Sequence, residues 1–531
     1  MEILMRKRVA AATATVTIAA MILAGCGNSS GSGERLASDG KPEVEALVVK
    51  NANTAQMKTM QWPKDLEKMC DCHIKWKEVD GQAWQQQQSA TLAGGNIADL
   101  SFRAYYTGTL DKYGSQFVDF NKHLDEMPHV KAMFDKYPTV YKQAQSENGA
   151  IYTLPTYKGD SYNSTGQHMF INKKWLDKLG LQMPKTWDEL EQVLKAFVTQ
   201  DPNGNGKNDE IGMDFPKLKT DAFTWYTPYM LLNSTGIVTL FNSSPAQQGI
   251  YAKDGKVKSF LVTDEYKRVT KYLARLMKEG LVPRDVLSKD DSTYGNEVQG
   301  DGTTARVGFI FSWAARTSLG PKLADQYVAV PPLKETADQP DSSLVWDASG
   351  EVAPIVGNSL AMSSSAPNQK TLFKVIDAMY TQDMSVYSWW SKKYVKKIDK
   401  NTYKIDPKKF TLTMSPTQLM ASYIPPNVKL EGDIDAAQQQ EADKVYKPYY
   451  KHYDHTKDVV PTYVKTPLSV ADRLQNLNTT IMNYAMSTTA NWIQGNSDID
   501  KEWDSYVAKL NNAGLKDQVK IWQDAYDKWV K

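Results

Sequence analysis

Short apolar runs alternating with amphipathic helical patterns set the tightest limit on what this chain can fold into. Glu45-Ala46-Leu47-Val48-Val49 reads as a buried strand, and Met57 to Met69 reads as a helix. Ile74 and Trp76 share one face of the next strand, with Lys75 and Lys77 on the other. Ala98 to Phe102 follows Gly94-Gly95-Asn96 as a third strand. Each strand must return across a covered sheet, so this rhythm predicts an α/β fold with a parallel sheet flanked by helices. Further along, Thr186-Trp187-Asp188-Glu189 is a capping-box pattern, and Leu190, Val193, Leu194 and Phe197 continue one helical face. Arg306 to Phe311, Gln326 to Leu333 and Asn358 to Ser363 read as strands. Trp503, Tyr506, Val507 and Leu510 line one late helix, Asn511 to Gly514 breaks it, and Val519, Trp522, Tyr526 and Trp529 line the last. Ring spacing of this kind marks packing rather than ligand platforms. No internal repeat is present.

A length of 531 residues fits two or three domain-sized cores. The 41% hydrophobic content excludes a disordered chain, and three cysteines exclude a disulfide-framed mini-domain. The formal charge is +2, and residues 1–25 (Arg6, Lys7 and Arg8 against Glu2) account for all of it. A body of zero net charge gives no electrostatic footing for nucleic acid.

The first residues indicate where the chain works. Arg6-Lys7-Arg8 precedes an apolar run from Val9 to Leu23, too short for a comfortable permanent span. Leu23-Ala24-Gly25-Cys26 has the form of the bacterial lipobox. Resemblance to lipoproteins implies cleavage after residue 25 and a lipid on the Cys26 sulfur. Residues 26–41 are Gly/Ser-rich and read as a flexible tether. The folded part is then expected outside the cell, lipid-anchored to the outer face of the membrane. Cys70-Asp71-Cys72 is either a locally closed turn or two free thiols.

Asp201-Pro202-Asn203-Gly204-Asn205-Gly206-Lys207-Asn208-Asp209-Glu210 is a candidate metal loop. Asp201, Asn203, Asn205, Asp209 and Glu210 offer side-chain oxygens, Lys207 a backbone carbonyl, and Gly206 stands at the sharp turn. Hard Ca²⁺ takes six to eight such oxygens. Position twelve is Gly212 rather than the Glu of an EF-hand, so a bidentate role falls to Glu210. The loop resembles the calcium loop of alginate-binding and related proteins, and is read as a structural Ca²⁺ clip.

Five further segments carry a family resemblance. Phe170-Ile171-Asn172-Lys173-Lys174-Trp175-Leu176, Leu179-Gly180-Leu181 and Pro184-Lys185-Thr186-Trp187-Asp188-Glu189-Leu190 resemble a stretch of the extracellular solute-binding lipoproteins of carbohydrate ABC importers. Ile151-Tyr152-Thr153-Leu154-Pro155 is similar to the approach to their first hinge, and Val307 to Trp313 to a strand end. The resemblance implies a two-lobed periplasmic-binding-protein-like fold, with hinge strands and a ligand cleft between the lobes. Residues 42–157 and 334–383 would form lobe one, and 158–333 and 384–531 lobe two. It also implies a monomer that captures an oligosaccharide, closes, and delivers it to membrane permease subunits.

Aromatic rings stack on sugar C–H faces while Asp, Asn, Gln and Arg bond the hydroxyls. Contacts are expected on loops beyond strand C-termini. The candidates are Asn51, Asn53, Gln82, Trp84, Tyr106, Tyr157, Asp160, Trp225, Trp313, Arg316, Trp346 and Asp347, with Arg103, Tyr105 and Tyr226 beside them. Packing is the competing reading for each ring, and the favoured one for Trp389-Trp390. Only eight arginines follow residue 25, which favours a neutral glycan. An extracellular polysaccharide-processing enzyme and a glycan-binding adhesin are the alternatives. The chain has no HExxH, GxSxG, P-loop or Rossmann glycine pattern, and no histidine pair at metal-ligand spacing.

Overall fold

The computed structural model describes residues 34–530 except 51–53, 160–164, 217, 219–220, 242, 347–354 and 407–419. Cys26 and the signal-like segment lie outside the described residues.

Strands β1 (Glu43–Lys50), β2 (His73–Asp80), β3 (Leu100–Phe102) and β4 (Leu154–Tyr157) belong to a first sheet. Strands β5 (His168–Asn172) and β6 (Ile211–Asp214) belong to a second. Then come a hairpin, β7 (Ile250–Lys253) and β8 (Lys256–Ser259), followed by β9 (Val307–Ser312), β10 (Tyr327–Ala329) and β11 (Ile355–Met362). The sheet orders are β2-β1-β3-β11-β4 and β10-β5-β9-β6. The expected parallel pairing holds for β1 with β2 and β3 and for β6 with β9. Both sheets are nevertheless mixed. β11 runs antiparallel to β3 and β4, and β5 antiparallel to β9 and β10. The reversal arises where strands reach a sheet from the other body rather than through a local helix crossover.

Ala46 and Val48 of β1 join a core with Leu100, Phe102, Leu360 and Met362. Leu47 and Val49 bury the opposite face with Trp84 and Tyr105. Burial on both faces explains why this strand reads as continuous apolar sequence rather than alternation. In the second sheet β5 and β9 are buried throughout. Helix Trp187–Thr199 packs there, its Thr186 Oγ1 accepting from Glu189 N at 3.1 Å. A Cβ on Gly308 would come within 2.3 Å of Phe197, so the glycine allows this helix to lie directly on β9.

Two of the three crossovers between the bodies fix the geometry of the site; the third follows the strand Lys429–Glu431 through helix Ile434–Tyr446, whose Ala442 and Tyr446 join the second core. β1, β2, β3 and β4 run the same way, and the chain leaves the first sheet after Tyr157, at the edge where these strands end. It enters the second sheet at His168, opposite Ser312, where β9 ends. The return path leaves at Ala329, opposite Phe170, and re-enters at Ile355, opposite Tyr157. Both connections therefore join the carboxyl-end edges of the two sheets.

Residues 420–424 lie along β4. Tyr157 N donates to Ser422 O and Ile424 N to Tyr157 O, each at 3.0 Å. Met384, Met420, Ala421 and Tyr423 join the first core. The adjoining helix Gln382–Trp390 packs on a small sheet of β12 (Val395–Lys397), β13 (Thr402–Ile405) and β14 (Lys429–Glu431). Trp389 and Trp390 are buried there. This segment falls in the 384–531 range that resemblance gave to lobe two, yet its contacts are with the first sheet.

The last three helices, Ala471–Gln494, Ile499–Asn512 and Leu515–Val530, cover the second body. Trp492, Trp503, Tyr506 and Leu510 enter its core, while Trp522 and Tyr526 pack on the hairpin, as their spacing predicts. Cys70 and Cys72 are joined by a disulfide. No described helix is long and apolar enough to cross a membrane.

Candidate functional site

A cavity of about 610 Å³ opens beyond the carboxyl ends of β1, β2 and β3. Asp80, Gln82, Trp84, Gln85, Gln88, Arg103, Tyr106 and Asn358 line it. Asp80 caps helix Gly81–Gly94 by accepting from Gln82 N at 2.9 Å, which sets Gln82 and Gln85 at the rim. Trp84 Nε1 and Gln88 Nε2 both donate to Ala104 O, at 2.7 and 2.5 Å. Trp84 is 6% exposed and meets Tyr105 edge-on at 5.6 Å, so it positions the loop after β3 rather than offering a ring face. Tyr106 is 65% exposed and offers one.

A second cavity, of about 580 Å³, lies beyond β6 and among the turns beside β9. Phe223, Thr224, Trp225, Tyr226, Tyr294, Gln299 and Thr317 are among its lining residues. Thr224 Oγ1 and Tyr294 Oη are buried there without a hydrogen-bond partner. Burial pushes the Tyr226 and Tyr294 hydroxyls up, so both are neutral donors. Trp225 is 41% exposed, and its ring lies 6.4 Å from that of Trp313, inclined by 37°. Trp313 sits on the turn after β9, held where Ser312 Oγ meets Ala314 O at 2.9 Å and Ser318 Oγ at 2.7 Å. A Cβ on Gly166 would come within 3.0 Å of Trp313, so the first crossover passes against that ring.

Of the sequence candidates, Gln82, Trp84 and Tyr106 line the first cavity and Trp225 the second, with Trp313 beside Trp225. Arg316 opens helix Ala315–Leu323 beside Trp313. Two rings are engaged in packing instead. Trp346 is 1% exposed, stacks on Tyr446 at 4.4 Å and donates to Gln167 O at 3.1 Å. Tyr157 is buried against Tyr137 at 4.5 Å. Asn51, Asn53, Asp160 and Asp347 lie outside the described residues. Gln85, Asn358, Thr224 and Tyr294 escaped the sequence reading. The Gln85-Gln86-Gln87-Gln88 run was the one visible signal among them.

The 201–210 loop runs from helix Trp187–Thr199 into β6 with no exit helix. Asp201 Oδ1 accepts from Gly204 N at 2.9 Å and Asn205 N at 3.1 Å, and its Oδ2 from Gly206 N at 3.0 Å. Asn203 and Asn205 both donate to Asp209 Oδ1, at 3.3 and 3.0 Å. Among the described residues no three His, Cys, Asp or Glu side chains form a group that could hold a metal. The loop's donor set still fits a hard cation. Glu210 is buried with neither carboxylate oxygen partnered, and burial raises its carboxyl above the usual range. A cation drawn to this all-oxygen loop would supply the missing partner.

Residues 51–385 match the bacterial extracellular solute-binding proteins, and the chain belongs to that family. A solved HMO-binding solute-binding protein associated with an ABC transporter, from Bifidobacterium longum infantis, is 42% identical. The similarity covers 93% of this chain and 100% of that one, with a TM-score of 0.87. The fructooligosaccharide ABC transporter substrate-binding protein FusA of Streptococcus pneumoniae is 26% identical over 501 residues, 87% of this chain and 86% of FusA. A solved EF-hand mutant of FusA in complex with fructo-nystose is similar over 92% of this chain and 99% of that one, at 22% identity and a TM-score of 0.71. The fold is therefore the two-lobed fold of these binding proteins.

Proposed function

We propose that this protein captures oligosaccharides for an ABC importer, holding them between the two cavities and handing them to the membrane permease. The observation that carries this reading is topological. The first two crossovers join the carboxyl-end edges of the two sheets, and the cavities open at those edges. The aromatic wall with Trp225 and Trp313 suits sugar C–H faces, and the amide-rich wall with Gln82, Gln85 and Asn358 suits hydroxyls. The ligands in the names of the HMO-binding relative and FusA support a glycan. Lobe one comprises 42–157, 355–383 and also the segment packed on the first sheet up to β14; lobe two comprises the remainder, including 334–346, whose Val345 and Trp346 join the second core instead of the first as the resemblance implied. Closure is a hinge motion at the crossovers, driven by contacts to both walls.

The protein binds without cleaving, as a monomer, and the favoured ligand is neutral. Cys26 carries the lipid anchor, which holds the folded part at the outer face of the membrane. Asp201, Asn203, Asn205, Lys207, Asp209 and Glu210 hold a structural Ca²⁺, a reading supported by the unpartnered Glu210 carboxylate and by the EF-hand mutant of FusA.

Calorimetry with a panel of neutral and acidic oligosaccharides tests the reading, with chromatography of the panel after incubation. Saturable binding with unchanged glycan is expected. Binding of none of the panel, or new reducing ends, would reject it.

A further inference from the structure

Arg103 has a left-handed backbone, with φ of 59°, a conformation that disfavours any side chain but glycine's absence of one. Its surroundings impose this. Arg103 N donates to Ser359 O at 3.1 Å, Phe102 and Ala104 are buried, and Trp84 and Gln88 hold the Ala104 carbonyl. Tyr105 is locked between Trp84 at 5.6 Å and Phe117 at 5.1 Å. The kink sends the Arg103 side chain into the cavity wall.

The guanidinium belongs to that wall, beside Tyr106. Its Nε is buried and unbonded, and among the described residues no carboxylate lies within ion-pair distance. Burial weakens its hold on its proton. Asp80 lines the same cavity, but no ion pair joins the two. The wall therefore presents a donor-only group, an acceptor-only group, and the amides of Gln82, Gln85 and Asn358, which do both. A hydroxyl both donates and accepts and matches this set. A carboxylate could take the guanidinium fork but would find an acceptor at Asp80, so it is Arg103 together with Asp80 on one wall that favours a hydroxyl.

We infer that Arg103 is a specificity-determining residue, held by its strained backbone to donate its guanidinium fork to neighbouring hydroxyls of an uncharged sugar unit. The inference rests on the cleft reading above and assigns one wall its chemistry.

Three variants test it against a panel of tri- to pentasaccharides that includes kestose and trigalacturonate. Arg103→Gly suits the left-handed backbone, so its melting temperature should equal or exceed that of the wild type. Its affinity for the tightest neutral binder should fall about 10- to 100-fold. Arg103→Lys keeps charge without the fork and should lose a similar factor. Trp313→Ala reports on the opposite wall. If Arg103→Gly binds as the wild type while Trp313→Ala loses affinity, the cleft stands and the role of Arg103 fails. If neither loses affinity, the cleft reading itself fails. Full retention by Arg103→Lys would overturn the fork, and trigalacturonate as the tightest ligand would overturn the preference for an uncharged sugar.

Discussion

Trp225 and Trp313 stand 6.4 Å apart between ring centroids, with planes inclined by 37°, although 88 residues separate them in sequence. A tilted pair of this kind presents a bent apolar surface, suited to consecutive sugar units rather than one flat ring. Trp313→Ala should weaken oligosaccharide binding by about 1–3 kcal/mol, with a smaller loss for the more exposed Trp225→Ala. Calorimetry reads both. Unchanged affinity in both variants would remove the pair from the site.

Lys465 ties the two bodies together. Its Nζ donates to Gln143 O at 2.8 Å and to Gln145 O, carbonyls at the end of helix Pro138–Ala144. Val464 beside it packs with Val460, Ile521 and Trp522 on the other body. Thr462 Oγ1 adds a bond to Gln143 Oε1 at 3.0 Å. Burial lowers the Lys465 pKa to about 8. Lys465→Met should leave these carbonyls poorly satisfied and cost about 1–3 kcal/mol of stability, measured by denaturant unfolding. An unaltered unfolding midpoint would mean that the contact contributes nothing.

His168 lies fully buried between Phe170 at 5.6 Å and Tyr446 at 5.5 Å. Burial outweighs nearby Asp443 and lowers its pKa to about 4. The folded imidazole thus stays neutral while the unfolded one takes up a proton below about 6.5. Its contribution is present above pH 6.5 and is lost as pH falls from there to 4, by about 3 kcal/mol. His168→Phe keeps a ring among its neighbours and should flatten the fall in melting temperature across that window. A parallel pH profile for variant and wild type would contradict this.

Calcium should raise the melting temperature and chelation lower it without abolishing the fold. A cation at a hundred times its Kd adds about 2.7 kcal/mol. Glu210→Gln should shrink the calcium-dependent shift. If calcium leaves the wild type unmoved, the 201–210 loop is a metal-free turn.

The fold is legible in the sequence where local chemistry decides structure. The run Ala46 to Val49, the Thr186 cap and the helical stripe from Trp503 to Leu510 each carry their own period. What distant partners decide is not legible there. Trp346 stands in a Ser/Asp-rich stretch and reads as a candidate platform, but Tyr446, 100 residues later, covers its face. Trp84 lines the first cavity, and its indole is committed to the Ala104 carbonyl, 20 residues away. The left-handed turn at Arg103 follows from Ser359, on a strand that arrives from the other body, and no local pattern announces it.

The central claim is capture by closure, and small-angle scattering of the protein with and without its tightest oligosaccharide tests it most directly. The account predicts a smaller radius of gyration on saturation, with the glycan recovered intact. An unchanged radius at full occupancy, or a cleaved glycan, would contradict it.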